Sequence, residues 1–137
     1  MNAPRDGGTL RRVLIVDDEP VIRLMLSTFL GQKGWTCFQA GDPAGALEIL
    51  GREPVGHALV DLHLGEHSGL DLIREIARRW PAVRIVAITG SVIGGPGVAL
   101  SAGAAAVVPK PLSPLGLVLD ALEGRTPPHD ASNAPFG

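Results

Sequence analysis

Apolar positions along this chain follow two rhythms. In Val13–Val16, His57–Val60, Ile85–Ile88 and Val107–Pro109 nearly every position is apolar. Runs this short and continuous read as strands buried on both faces, as in a parallel sheet covered by helices. Trp35-Thr36-Cys37-Phe38-Gln39-Ala40 is a more mixed run that reads as the second strand. Between the runs the period lengthens. Ile22, Met25, Leu26 and Phe29 stand at i, i+3, i+4 and i+7, the stripe of a helix laid on a sheet, and Gly31 and Gly34 mark its end. Asp42-Pro43 supplies an N-cap and a proline at the first helical position, with Ala46, Leu47 and Leu50 facing inward. Ser68 caps a third helix whose inner face is Ile73, Ile76, Ala77 and Trp80, and Pro81 stops it. Ser113-Pro114 opens the last helix, with Leu115, Val118, Leu119 and Leu122 inward.

Strands interleaved with helices in this way predict an α/β fold. Parallel strands joined by right-handed crossovers give a doubly wound five-stranded sheet. The segment from Gly90 to Ala102 is the exception. Each interior glycine costs a helix about 1 kcal/mol relative to alanine, and a proline about 3 kcal/mol. The fourth helix is therefore expected to be short, with a loop to about Pro96 and at most two turns after it. Gly90 and Gly95 have phosphate-loop spacing, but Pro96 stands where the lysine is needed, so that motif is excluded.

Length and charge narrow the classes. The 137 residues suit one domain, expected over residues 11–123 between flexible tails at 1–10 and 124–137. A net charge of −2 gives no bulk attraction to nucleic acid, and none is expected as a partner. The uncharged stretch from Ile85 to Val108 is long enough to span a bilayer, but its glycines, Pro96 and strand-like ends exclude a spanning helix. With no signal-like N-terminus and a single cysteine, Cys37, the expected location is the cytoplasm.

What the strands deliver at their carboxyl ends carries the chemistry. The first is followed by Asp17-Asp18-Glu19, the third ends in Asp61, the fourth in Thr89, and the fifth leads into Lys110-Pro111. Ligands of open parallel sheets bind outside those ends, where strand order reverses. Acid, acid, hydroxyl and amine in one place suit a divalent cation and a phosphoryl group. Asp61 is the candidate nucleophile. Clustered carboxylates favour a cation among them, and Mg²⁺ (or Mn²⁺) prefers such oxygen donors. Asp18, Asp61 and the backbone carbonyl of His63 are expected to ligate directly, with Asp17 acting through water. Lys110 offers a compact charge and Thr89 a hydroxyl donor to the phosphate. A cis Lys110–Pro111 bond is expected, since X-Pro bonds alone reach cis at low cost. His63 and His67 share a zinc-like spacing, but both are expected in a loop with no cysteine near them, so a structural role is expected.

Taken together, Val16-Asp17-Asp18-Glu19-Pro20, Asp61-Leu62-His63-Leu64-Gly65-Glu66-His67-Ser68-Gly69-Leu70, Thr89 and Lys110-Pro111 resemble the receiver domains of two-component response regulators, of the stand-alone type. The resemblance spans about residues 11–123. It implies a flavodoxin-like sheet of order 2-1-3-4-5. It also implies that Asp61 accepts phosphate from a histidine kinase or histidine phosphotransfer protein. Asp17 and Asp18 would build the metal site, and Thr89 and Lys110 would sense the phosphate. No catalysis beyond the domain's own phosphorylation and dephosphorylation is expected. Receivers usually carry an aromatic residue where this chain has Val107, and often another where it has Leu112.

Two other functions compete. A Mg²⁺-dependent phosphatase of the haloacid dehalogenase type orders Asp, Thr and Lys similarly, but needs an acid two residues after its nucleophile, where His63 stands. A receiver-like module that binds without phosphorylation would not need the complete set of acids, Thr89 and Lys110. Since the residues after Leu122 read as the end of a helix and a tail, output is expected through another protein or by relay of the phosphate.

Overall fold

The structure is a computed structural model describing residues 11–90, 96–112 and 114–125. Residues 91–95, expected as part of a loop, Ser113, expected to open the last helix, and residues 1–10 and 126–137, expected as tails, lie outside the described residues. Five strands, β1 (Arg12–Val16), β2 (Thr36–Ala40), β3 (His57–Asp61), β4 (Arg84–Thr89) and β5 (Ala106–Pro109), form one parallel sheet ordered β2-β1-β3-β4-β5. Both the sheet and its order agree with expectation.

Alternation along the strands sorts the core into two layers. Val13 and Ile15 of β1 point to one face, where they meet Leu26 and Leu30 of α1 (Pro20–Gln32) and Val118 and Leu122 of α5 (Gly116–Glu123). Leu14 and Val16 point to the other face, with Ala46 and Leu50 of α2 (Pro43–Arg52), Ile73 and Ile76 of α3 (Gly69–Arg79) and Ala99 of α4 (Gly97–Ala102). Every residue of β3 is buried, as the central strand of a sheet covered on both sides must be.

Two caps follow the sequence signals, whereas the last helix begins at Gly116, after Leu115 and without a side-chain cap, rather than at Ser113-Pro114. Asp42 Oδ1 accepts from the amide of Gly45, and Ser68 Oγ from that of Asp71. α4 begins after Pro96 and runs for six residues, the short helix that its glycines and proline predict. Among the described residues no helix is long and apolar enough to cross a membrane.

Candidate functional site

Register brings the strand ends together. Val16 pairs with Val60, Asp61 with Ile88 and Thr89 with Pro109, so residues at or just after those ends share one edge of the sheet. Strand order reverses between β1, flanked by β2, and β3, which continues to β4 and β5. Asp17 and Asp61 sit at that switch point, where open α/β sheets bind their ligands.

Asp61 is 2% exposed, and each of its carboxylate oxygens is held. Oδ1 accepts from the amide of His63 at 2.9 Å, and Oδ2 accepts from Lys110 Nζ at 2.7 Å. Lys110 is aimed by the turn after β5: its amide donates to the carbonyl of Thr89 at 2.8 Å, and its bond to Pro111 is cis, as expected. Burial alone would lower the lysine's pKa, but the hydrogen bond to Asp61 and the charges of Asp61 and Asp17 outweigh it and raise it.

Asp17 is fully buried. Its Oδ1 accepts from the amide of Glu19 at 2.9 Å, and its backbone carbonyl accepts from Arg23 Nη1 at 2.6 Å. Oδ2 lies 3.9 Å from Lys110 Nζ and finds no hydrogen-bond partner among the described residues. Burial raises the acid's pKa to about 6; the Glu19 amide opposes this, while Asp61 adds to it.

Asp18 is exposed at the mouth, and one carboxylate oxygen from each of Asp17, Asp18 and Asp61 lies within 4.8 Å of the others. Three hard oxygen donors, one of them buried without a partner, fit a divalent cation of the Mg²⁺ or Ca²⁺ kind. Gly65 (φ +64°) turns the short hairpin that pairs His63–Leu64 with His67–Ser68, and a Cβ there would come 3.6 Å from Asp18 Oδ2. The side chains of His63 and His67 are exposed.

All the residues singled out from the sequence therefore gather at one edge, with Thr89 half-buried at the end of β4. Two supporting residues escaped that reading. Arg23 ties α1 to the Asp17 backbone. Gly69 brings α3 against the end of β3, since a Cβ there would collide with the Asp61 carbonyl oxygen. For the latter, apart from its place in the motif quoted above, the local signal was a glycine directly after the Ser68 cap, where helix formers are preferred.

The raised Asp17 pKa predicts a pH-dependent cost of folding without metal. The unfolded carboxyl loses its proton near 3.8, while the folded one holds it to about 6, so stability falls as pH rises through that window. Asp17→Asn should then melt like the parent near the lower limit. Above pH 7 it should be more stable than the parent by roughly 1–3 kcal/mol. Melting curves in chelator at both pH values check this, and an equal difference at both would remove the charge as its cause.

Comparison with known proteins agrees with the geometry. The family model described as the response regulator receiver domain matches residues 13–121. The response regulator protein PilR of Pseudomonas aeruginosa is 38% identical over 130 residues, covering 91% of this chain and 28% of that protein. The transcriptional regulatory protein AruR of the same organism is 38% identical over 118 residues, covering 78% of this chain and 46% of that one. The chain thus spans between about a quarter and a half of these curated relatives. Among solved structures, a response regulator protein from Burkholderia pseudomallei with a phosphorylated aspartic acid, calcium ion and citrate has a TM-score of 0.76 and 34% identity, covering 82% of this chain and 66% of that one.

Proposed function

The chain belongs to the response regulator receiver domain family of two-component signalling, and we propose that Asp61 is its phosphoacceptor. The supporting observation is a buried carboxylate at the switch point with Lys110 Nζ 2.7 Å from its Oδ2. The receiver unit in this reading runs over residues 11–123.

In this reading a carboxylate oxygen of Asp61 attacks the phosphorus of a phosphohistidine on a histidine kinase or histidine phosphotransfer protein. The O–P bond forms as the P–N bond breaks, and the departing imidazole keeps the electron pair and takes up a proton. Such transfer rests mainly on positioning and charge neutralisation. The His63 amide fixes the carboxylate's orientation, and Lys110 offers its ammonium to the arriving phosphoryl oxygens. The Thr89 hydroxyl supplies a further donor. Asp17, Asp18, Asp61 and the His63 carbonyl would hold the cation, Mg²⁺ or Mn²⁺, which when bound neutralises charge on the phosphoryl group. Output passes to another protein or onward as phosphate. The family match, and His63 in place of the second acid, leave the phosphatase reading without support.

The metal assignment has its own test. Asp18→Ala should weaken Mg²⁺ or Mn²⁺ binding at least tenfold, about 1.4 kcal/mol, while His67→Ala leaves it unchanged. Titration calorimetry measures both. Parental affinity in Asp18→Ala would refute the ligand set.

A further inference from the structure

The turn Asp17-Asp18-Glu19 joins β1 to α1, and its backbone is fastened from several sides. The Asp17 amide donates to the Ala40 carbonyl at 3.1 Å, which extends the pairing of β1 with β2. The Glu19 amide donates to Asp17 Oδ1 at 2.9 Å. Between them lies the peptide linking Asp17 to Asp18, whose carbonyl oxygen accepts from Arg23 Nη1 at 2.6 Å.

Two observations give that last contact a purpose. The first is the state of Asp18. It is exposed, and among the described residues its side chain takes part in no hydrogen bond or ion pair. Only the backbone aims this carboxylate. Because the peptide is planar, the direction of the Asp17 carbonyl fixes that of the Asp18 amide and Cα. The force against this order comes from the acids themselves, since carboxylate oxygens of Asp17, Asp18 and Asp61 lie within 4.8 Å of one another. Like charges so close repel, and Asp18, at the mouth, has the most room to swing away.

The second is the seat of the guanidinium. A Cβ on Gly41, directly after β2, would stand 3.1 Å from Arg23 Nη1 and 3.7 Å from Cζ, with the Asp17 carbonyl oxygen next at 4.0 Å. The Gly41 backbone lies outside the left-handed region, so conformation does not call for glycine there. The space taken by Arg23 does. Arg23 itself is half-buried, and no carboxylate pairs with it among the described residues.

We propose that Arg23, seated over Gly41, is a positioning residue of the metal site: by holding the Asp17–Asp18 peptide it keeps the Asp18 carboxylate where the cation needs it. A charge-assisted donor on a backbone carbonyl suits this task, because it fixes direction without occupying a ligand oxygen. The proposal rests on the assignment of Asp17, Asp18 and Asp61 as the cation's ligands.

Titration calorimetry of the full chain with MgCl₂ tests it, alongside urea melts in chelator. Arg23→Met keeps the aliphatic stem and loses the donors; it should raise the Mg²⁺ Kd about tenfold, as loss of a partner behind a metal ligand does. The sign separates placement from charge, since removing a positive group near the acids would by charge alone tighten Mg²⁺ binding. A merely structural role would lower the urea midpoint and leave Kd unchanged. Gly41→Val crowds the guanidinium from the other side. It should raise Kd roughly twofold or more on the same ground, and should add nothing to Arg23→Met. Asp18→Ala is the control. Parental affinity there would refute the ligand set itself, whereas a loss there with parental or tighter affinity in folded Arg23→Met would overturn the role of Arg23 alone. Should Arg23→Met fail to fold, Gly41→Val decides, and parental affinity in it would overturn the proposal. A further loss on combining the two substitutions would overturn it as well.

Discussion

Asp61→Asn is expected to take up no phosphate from acetyl phosphate and Mg²⁺, while remaining folded to within about 2 kcal/mol of the parent. The amide has the shape of the carboxylate but lacks the anionic oxygen that attacks phosphorus. Two electrostatic changes oppose each other in the folded state. Lys110 loses a charge-assisted hydrogen bond of 2.7 Å, worth roughly 1.5–3 kcal/mol. Against that, Asp17 loses the neighbour whose charge helps to raise its pKa. The two effects oppose each other, so the stability change is expected to stay within that limit while phosphorylation is lost altogether. Intact-mass spectrometry reads the phosphate and a urea melt reads the fold. A phosphate adduct on the folded variant would remove Asp61 as the acceptor.

Strand ends are the part of this protein that its sequence displays most plainly. Asp17, Asp61, Thr89 and Lys110 each follow an apolar run, and parallel register alone carries them to one edge. The caps at Asp42 and Ser68 and the shortness of α4 were equally legible, because capping and helix breaking depend on a few adjacent residues. Contacts between distant segments were not. The inner faces of α1, α3 and α5 also bury Leu30, Leu72 and Ala121, which a narrow stripe at i, i+3, i+4 and i+7 omits. A helix lying flat on a sheet covers more of its circumference than that stripe. Trp35 is buried more deeply than a partly buried packing residue should be, at 5% exposed, because His57 and the end of α5 close over it. His57 reads in sequence as the first residue of a strand, and nothing there announces a buried nitrogen that has no partner among the described residues and lies near two arginines. These features depend on which elements meet, and hydrophobic period carries no such information.

Gly69→Ala is expected to cost roughly 3 kcal/mol and to slow phosphorylation at least tenfold, although Gly69 carries no chemistry of its own. Its amide donates to the Leu62 carbonyl at 3.0 Å, which pulls the first turn of α3 onto the chain leaving β3. An added Cβ would collide with the Asp61 carbonyl oxygen and would stand 2.6 Å from Leu62 Cα and 2.9 Å from Leu62 C. All three are backbone atoms, so no side-chain rotation relieves the clash. Overpacking of this kind costs about 1–3 kcal/mol, and more where the backbone must move. What moves here is either α3 or the segment that aims Asp61, so stability and phosphoryl transfer should fall together. Gly31 and Gly51 provide the contrast. Both are exposed helical glycines where an added Cβ would meet nothing within 4 Å, and alanine there should stabilise by up to about 1 kcal/mol. Urea unfolding of the three variants and their phosphorylation rates with acetyl phosphate separate the cases. Parental stability and rate in Gly69→Ala would show that α3 can withdraw from β3 without cost, and that Asp61 is aimed by the His63 amide and Lys110 alone.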